Sequence, residues 1–142
     1  MKTVRELLQN KGGAIFSIAP DARVFEALKL MADKEVGALV VVDGGRLAGI
    51  LSERDYARKV ILHGKSSQEI AVRDIMTAKV VTVRPTHTVD DCMALMTDRR
   101  IRHLPVIEGE RLIGVLSIGD LVKAVIEDQR ETIKQLETYI RS

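Results

Sequence analysis

Residues 17–61 and 82–126 lie on one another at a constant offset of 65, with no gap, and sixteen of the 45 pairs are identical. A polar constellation is part of the match. Gly49-Ile-Leu-Ser52-Glu-Arg-Asp55 returns as Gly114-Val-Leu-Ser117-Ile-Gly-Asp120. A fixed internal period marks supersecondary units that lean on their neighbours. A half of about 60 residues is only marginally stable alone, because little of its surface can be buried. The expectation is a pseudo-twofold pair of halves sharing a core within 142 residues, with two related sites.

Composition narrows the functional classes. Aromatic residues make up 3% and Trp is absent, so Val, Ile, Leu, Met and Ala must build the core. A formal net charge of +2 lacks the basic excess of a dedicated nucleic-acid binder. Phe16, Phe25, Tyr56 and Tyr139 are too scattered to stack bases. Cys92 has no partner for an internal disulfide and reads as a small buried hydrophobe in a reducing compartment. With no signal peptide and no apolar run of about 18 residues, the expectation is a soluble cytoplasmic protein without a membrane span.

The pattern predicts an α+β (α/β) fold in which each half runs β-α-β-β-α behind a short leading helix. Repeat one occupies 1–65 and repeat two 66–126, and 127–142 extends the last helix. In repeat one the predicted elements are a helix from Val4, a loop with Gly12 and Gly13, and a strand over 14–18. A helix from Val24 follows, then strands over 39–42 and 47–51 joined at Gly44-Gly45, then a helix from Ser52 to about Leu62. Ser66 and Glu69 have capping-box spacing. Repeat two predicts a helix over 72–76, a strand over 80–83, a helix over 89–99, strands over 103–107 and 112–116, and a helix from about Ile118. In that last helix Val122, Ile126, Gln129, Ile133, Leu136 and Ile140 alternate spacings of four and three. This seam fits a helix lying on its own domain or a contact between two copies.

Gly-x-x-Ser-x-x-Asp at a strand-to-helix junction has a chemical use. The Gly lets a ligand approach the strand. The Ser hydroxyl and the first helix amides make an anion site. An Asp one turn on accepts two hydrogen bonds from a vicinal diol such as that of a ribose. The same spacing is also a plain helix cap, and capping and binding can coexist.

Val72-Arg-Asp-Ile-Met-Thr77, Arg102-His-Leu-Pro-Val106 and the two Gly-x-x-Ser-x-x-Asp segments resemble the tandem cystathionine-β-synthase (CBS) domain pair, or Bateman module. The likeness runs from about Val4 to Ile126 and is strongest to small stand-alone bacterial pairs. It implies a non-catalytic regulatory module that binds an adenine nucleotide in two clefts between the repeats and senses energy or redox state. AMP, ADP, ATP, NAD and S-adenosylmethionine share the ribose and adenine, so the motif does not choose among them. Carried over by position, cleft A takes Ser52, Glu53, Arg54, Asp55, Thr77, Lys79, Val81, Arg102 and His103. Cleft B takes Lys11, Ala14, Phe16, Gly37, Ala38, Ser117, Ile118, Gly119 and Asp120. Arg54, Lys79 and Arg102 equip cleft A for a phosphate, whereas cleft B is poorer in cations. Repeat one departs in having Gly37-Ala-Leu-Val for Arg102-His-Leu-Pro, and three extra residues between Asn10 and Gly13. The resemblance further implies a homodimer and a separate effector protein.

No nucleophile with a base, no phosphate-binding glycine-lysine loop and no zinc motif accompany these segments. His63, His87 and His103 do not make a metal set. Arg99, Arg100 and Arg102 suit a solvated helix end or a phosphate. The alternative function is a structural or protein-interaction module with vestigial clefts; weak nucleic-acid binding is a third. Met31, Met76, Met93 and Met96 read as core.

Overall fold

The computed structural model describes residues 2–12 and 14–141. Gly13 of the expected Gly12-Gly13 loop lies outside the described residues. The chain forms two compact units, residues 15–81 and residues 1–14 with 82–142, called here the middle unit and the outer unit.

In the middle unit, β1 (Ser17–Ile18) runs parallel to β2 (Ala38–Asp43), which pairs antiparallel with β3 (Arg46–Ser52). Gly44 and Gly45 both take positive φ in the hairpin turn, a conformation only glycine adopts at no steric cost. Helix α2 (Val24–Lys34) buries Val24, Ala27 and Met31 with Leu39, Val41 and Leu51. After β3 come α3 (Glu53–Tyr56) and a π turn over Ala57–Ile61. The expected helix to Leu62 is therefore present but widened at its end, where the Leu62 amide donates to the Ala57 carbonyl at 3.3 Å.

The outer unit repeats the plan with α4 (Val89–Arg99), β4 (His103–Glu108), β5 (Arg111–Ser117) and α5 (Ile118–Arg141). Thr88 and Asp91 close a capping box on α4, which accounts for the match of predicted and observed helix. The strand expected over 80–83 is not formed and only a bridge from Val83 to Val106 remains. Pro105 stands where Val40 stands in β2 and has no N–H to extend the pairing. Cys92 is buried, and burial pushes its thiol pKa up to about 11.

The leading segments change places. Helix α1 (Val4–Lys11) packs in the outer unit, and a single 3₁₀ turn over Val72–Asp74 packs in the middle unit. Neither lies with the repeat that follows it in sequence. The contacts are matched: the Val4 and Arg5 amides donate to the carbonyls of His87 and Pro85 at 2.8 and 3.1 Å. The Val72 and Arg73 amides donate to Ala22 and Pro20 at 2.8 and 2.9 Å. The units therefore cut across the sequence repeats. The helix predicted over 72–76 is shortened to that one turn. Ser66 and Glu69 form no box; the Ser66 carbonyl accepts from the Glu69 amide at 3.1 Å in a turn, and Asp74 instead accepts from the Ala71 amide at 3.2 Å.

Candidate functional site

Each unit carries one Ser-x-x-Asp box at the end of its hairpin. In the middle unit Asp55 Oδ2 accepts from the Ser52 amide at 2.9 Å and from its hydroxyl at 3.0 Å, and the Asp55 amide donates back to Ser52 Oγ at 3.2 Å. In the outer unit Asp120 Oδ2 accepts from the Ser117 amide at 2.8 Å, and the Asp120 amide donates to Ser117 Oγ at 3.2 Å. The capping arrangement is thus fully formed at both places. Both carboxylates are part-buried and held by backbone, so their orientation is set in advance.

A lysine sits on each carboxylate, reached by different routes. Lys59 Nζ lies 3.3 Å from Asp55 Oδ1 and also donates to the Ile75 carbonyl at 2.8 Å. Sequence reasoning did not single out Lys59, although the Asp-Lys spacing of four on a helix was there to be read. The outer unit has buried Ala124 at that position and brings in Lys11 from the end of α1 instead. Lys11 Nζ donates to Asp120 Oδ2 at 2.7 Å and to the Val115 carbonyl at 2.6 Å. In the middle unit the equivalent carbonyl, Ile50, accepts from the Thr77 backbone amide at 2.9 Å. An ammonium has replaced a peptide N–H.

Electrostatics follow from this placement. Burial raises the Asp120 carboxyl, but the Lys11 ammonium and the Ser117 hydrogen bonds outweigh it and hold it below the usual carboxylate value. His103 pairs in register with Ser117. Burial first, and Lys11 second, push its pKa below the ordinary imidazole value, with Asp120 opposing.

Of the residues expected in cleft A, the middle unit holds Ser52, Glu53, Arg54, Asp55, Thr77, Lys79 and Val81, while Arg102 and His103 stand in the outer unit. Of those expected in cleft B, Lys11, Ala14, Ser117, Ile118, Gly119 and Asp120 are in the outer unit, and Phe16, Gly37 and Ala38 in the middle unit. Within each unit the strand start lies on the box: the Glu53 amide donates to the Gly37 carbonyl at 3.0 Å, and the Ile118 amide to the Arg102 carbonyl at 2.8 Å. Phe16 packs on the middle core with Lys34 Nζ 5.5 Å from its ring centre.

The glycines before each box do a different job from the one expected. A Cβ on Gly49 would come within 2.7 Å of Met76 Sδ and 2.8 Å of the Thr77 carbonyl oxygen, and one on Gly114 within 2.5 Å of Leu8. The space above them is filled by the leading segments, not kept for a ligand. Among the described residues no cluster of His, Cys, Asp and Glu could hold a metal ion.

A hairpin, a Ser-x-x-Asp box and an exchanged leading segment, present twice, can be compared with known proteins as a unit. The family model of the CBS domain matches residues 4–62 and 72–127. The chain belongs to the CBS domain family. This CBS pair is 45% identical over 148 residues to "CBS domain-containing protein CBSX3, mitochondrial" of Arabidopsis thaliana, covering 98% of this chain and 72% of that protein. A CBS-domain protein of Burkholderia ambifaria MC40-6 has a solved structure that superposes with a TM-score of 0.87 at 53% identity, covering 90% of this chain and 96% of that one. The CBS domain pair of MJ0100, solved with 5-methylthioadenosine and S-adenosyl-L-methionine, shares the fold with a TM-score of 0.80 at 23% identity over 90% of this chain and 98% of that one.

Proposed function

We propose that this CBS pair is a non-catalytic regulatory module that binds an adenosine-containing ligand of the AMP, ADP, ATP or NAD class. Asp55 and Asp120 are its ribose acceptors. The observation that carries this reading is the recurrence of one part-buried carboxylate, fixed by a backbone box at the same place in both units. A diol needs such a fixed anionic acceptor, and charge-assisted bonds of this kind contribute about 1.5–3 kcal/mol each. The MJ0100 pair, with the same fold, takes adenosine compounds, which supports the choice of ligand class.

The two positions differ. At Asp55, with Thr77, Lys79 and Val81 in the same unit, Arg54 and Lys79 supply charge for a phosphate. At Asp120 the carboxylate is already engaged by Lys11. Arg102 and His103, at the start of β4, are proposed ligand contacts. The protein is proposed to act as a cytoplasmic homodimer that reports to an effector protein. Among the described residues no helix is long and apolar enough to cross a membrane.

Calorimetry with AMP, ATP, NAD and S-adenosylmethionine tests the reading. Asp55→Ala is expected to lose about 2–4 kcal/mol of affinity at its position, from two charge-assisted bonds. Its loss from the helix start should cost only about 0.5–1 kcal/mol of stability. A 2′-deoxy ligand keeps its 3′-hydroxyl and should lose about half as much on the native protein, the worth of one such bond. If Asp55→Ala leaves binding unchanged while the melting point falls, the box is a cap alone and the rival reading, an interaction module with vestigial sites, takes its place.

A further inference from the structure

Helix α1 is fixed to the outer unit in many ways at its start and by one side chain at its end. At the start the Val4 and Arg5 amides donate to the His87 and Pro85 carbonyls, Val4 and Leu7 are buried, and Lys2 lies 3.2 Å from Glu127. From Gln9 to Gly12 the chain is exposed. Among the described residues, the only hydrogen bonds tying residues 9–12 to the rest of the unit come from the Lys11 ammonium. They run 2.6 Å to the Val115 carbonyl and 2.7 Å to Asp120 Oδ2. The middle unit fastens the corresponding place through backbone. There Thr77 and Ile50 exchange both peptide bonds, at 2.9 and 3.0 Å, and Lys59 is added to that pair, not substituted for it. A peptide pair is fixed by the fold, whereas an ammonium on a flexible stem stays only while its acceptors do.

The acceptors of the two boxes are committed differently. A carboxylate offers about four acceptor places, roughly two on each oxygen. Asp120 Oδ2 has given one to the Ser117 amide at 2.8 Å and the other to Lys11. The Ser117 amide belongs to the backbone of the box and cannot leave. A vicinal diol that donates once to each oxygen needs a place on Oδ2, and Lys11 alone can vacate one. The Val115 carbonyl that remains to Lys11 is neutral and holds an ammonium less well than a carboxylate does. At Asp55 the crowded oxygen carries the Ser52 amide and the Ser52 hydroxyl, and Lys59 sits on the other one. A hydroxyl gives up its place by rotation. A diol is therefore admitted at Asp55 without disturbing the leading segment.

We propose that Lys11 is a latch opened by the ligand: a ribose diol on Asp120 displaces the ammonium and frees the C-terminal end of α1. The outer unit then reports occupancy through its leading helix, and the middle unit does not. This rests on the reading of Asp120 as a ribose acceptor. The coupling is reciprocal, so whatever holds the end of α1 down weakens the diol at Asp120 by the same factor.

Hydrogen exchange of the full chain carrying Asp55→Ala, with calorimetry on the same sample, isolates the Asp120 position. Adenosine is the probe, because it has no phosphate to hold Lys11 in place of the carboxylate. Saturation with adenosine is expected to speed exchange of the amides of residues 8–12 roughly three- to tenfold, the worth of one part-exposed charge-assisted bond. Lys11→Met added to this chain should show the faster exchange without ligand and no further rise with it. Unchanged exchange over β4 and β5 shows that the unit stays folded. In the native chain residues 72–77 should not lose protection when adenosine binds. Unchanged or slower exchange over 8–12 in a sample that takes up adenosine would overturn the latch and leave the ribose reading standing. No heat from the Asp55→Ala chain would overturn the ribose reading at Asp120, and the release with it. A Lys11→Met chain that exchanges like its parent in the absence of ligand would show that Lys11 fastens nothing.

Discussion

At the scale of single residues the two Asp boxes are alike in backbone and unlike in company. Asp120 is gripped by Lys11, brought from far away in sequence, and Asp55 by Lys59, four residues on. A diol arriving at Asp120 competes with a 2.7 Å ion pair. Lys11→Met is therefore expected to strengthen adenosine binding at the Asp120 position and leave the Asp55 position unchanged, seen in calorimetry as a rise in the weaker of two association constants. Weaker binding instead would make Lys11 a ligand contact. His103 sets a pH dependence. Its folded pKa lies below the unfolded value of 6.5, so the folded state favours the neutral ring. That contribution is whole above pH 6.5 and is lost as pH falls through the folded pKa. Asp120 acts later, because its depressed pKa makes its contribution fade only below the unfolded value of 3.8. Urea midpoints should drop between pH 7 and pH 5.5, and His103→Gln should flatten that drop; an unchanged slope would place the sensitivity elsewhere.

At the scale of elements, the glycines show how packing overrules a local reading. The Gly-x-x-Ser-x-x-Asp pattern names the strand and the helix start correctly, but not what lies over the glycine. Gly49→Ala drives a Cβ onto the Thr77 backbone oxygen, which the Ile50 pairing holds in place. Gly114→Ala meets only the Leu8 side chain, which can turn away. The first substitution is expected to cost about 1–3 kcal/mol and the second markedly less, read from denaturant midpoints. Equal losses would mean that Leu8 is as immovable as backbone. The elements that were legible, such as α4 and the two hairpins, carry their own capping and turn residues. Those that were not depend on distant partners. The strand over 80–83 failed at Pro105, and the helix over 72–76 ended after one turn.

At the scale of the molecule, the offset of 65 exposed the repeat and both boxes. The exchange of leading segments was less visible, because Val4-Arg-Glu-Leu-Leu8 matches Val72-Arg-Asp-Ile-Met76 at an offset of 68 and not 65. The three extra residues between Asn10 and Gly13 carry that difference. Val4 and Leu7 are buried in the outer unit as Val72 and Ile75 are in the middle unit. Removing residues 1–12 should thus take the buried Val4 and Leu7 side chains out of the outer unit and expose the surface they cover, roughly 3–6 kcal/mol of lost burial, in that unit alone. Hydrogen exchange would show protection lost over 82–128 and retained over 15–81; loss across both would mean that the leading helix supports the whole chain.

The same exchange imposes an order on biosynthesis. The middle unit is one unbroken stretch, so it can close while the ribosome is still adding residues beyond it. Helix α1 leaves the ribosome before either box and must wait, its Val4 and Leu7 uncovered, until residues 82–126 have been made. A segment translated ahead of both hairpins is thus among the last to find its place, and a chain cut after residue 81 would hold one finished unit and one unsheltered helix.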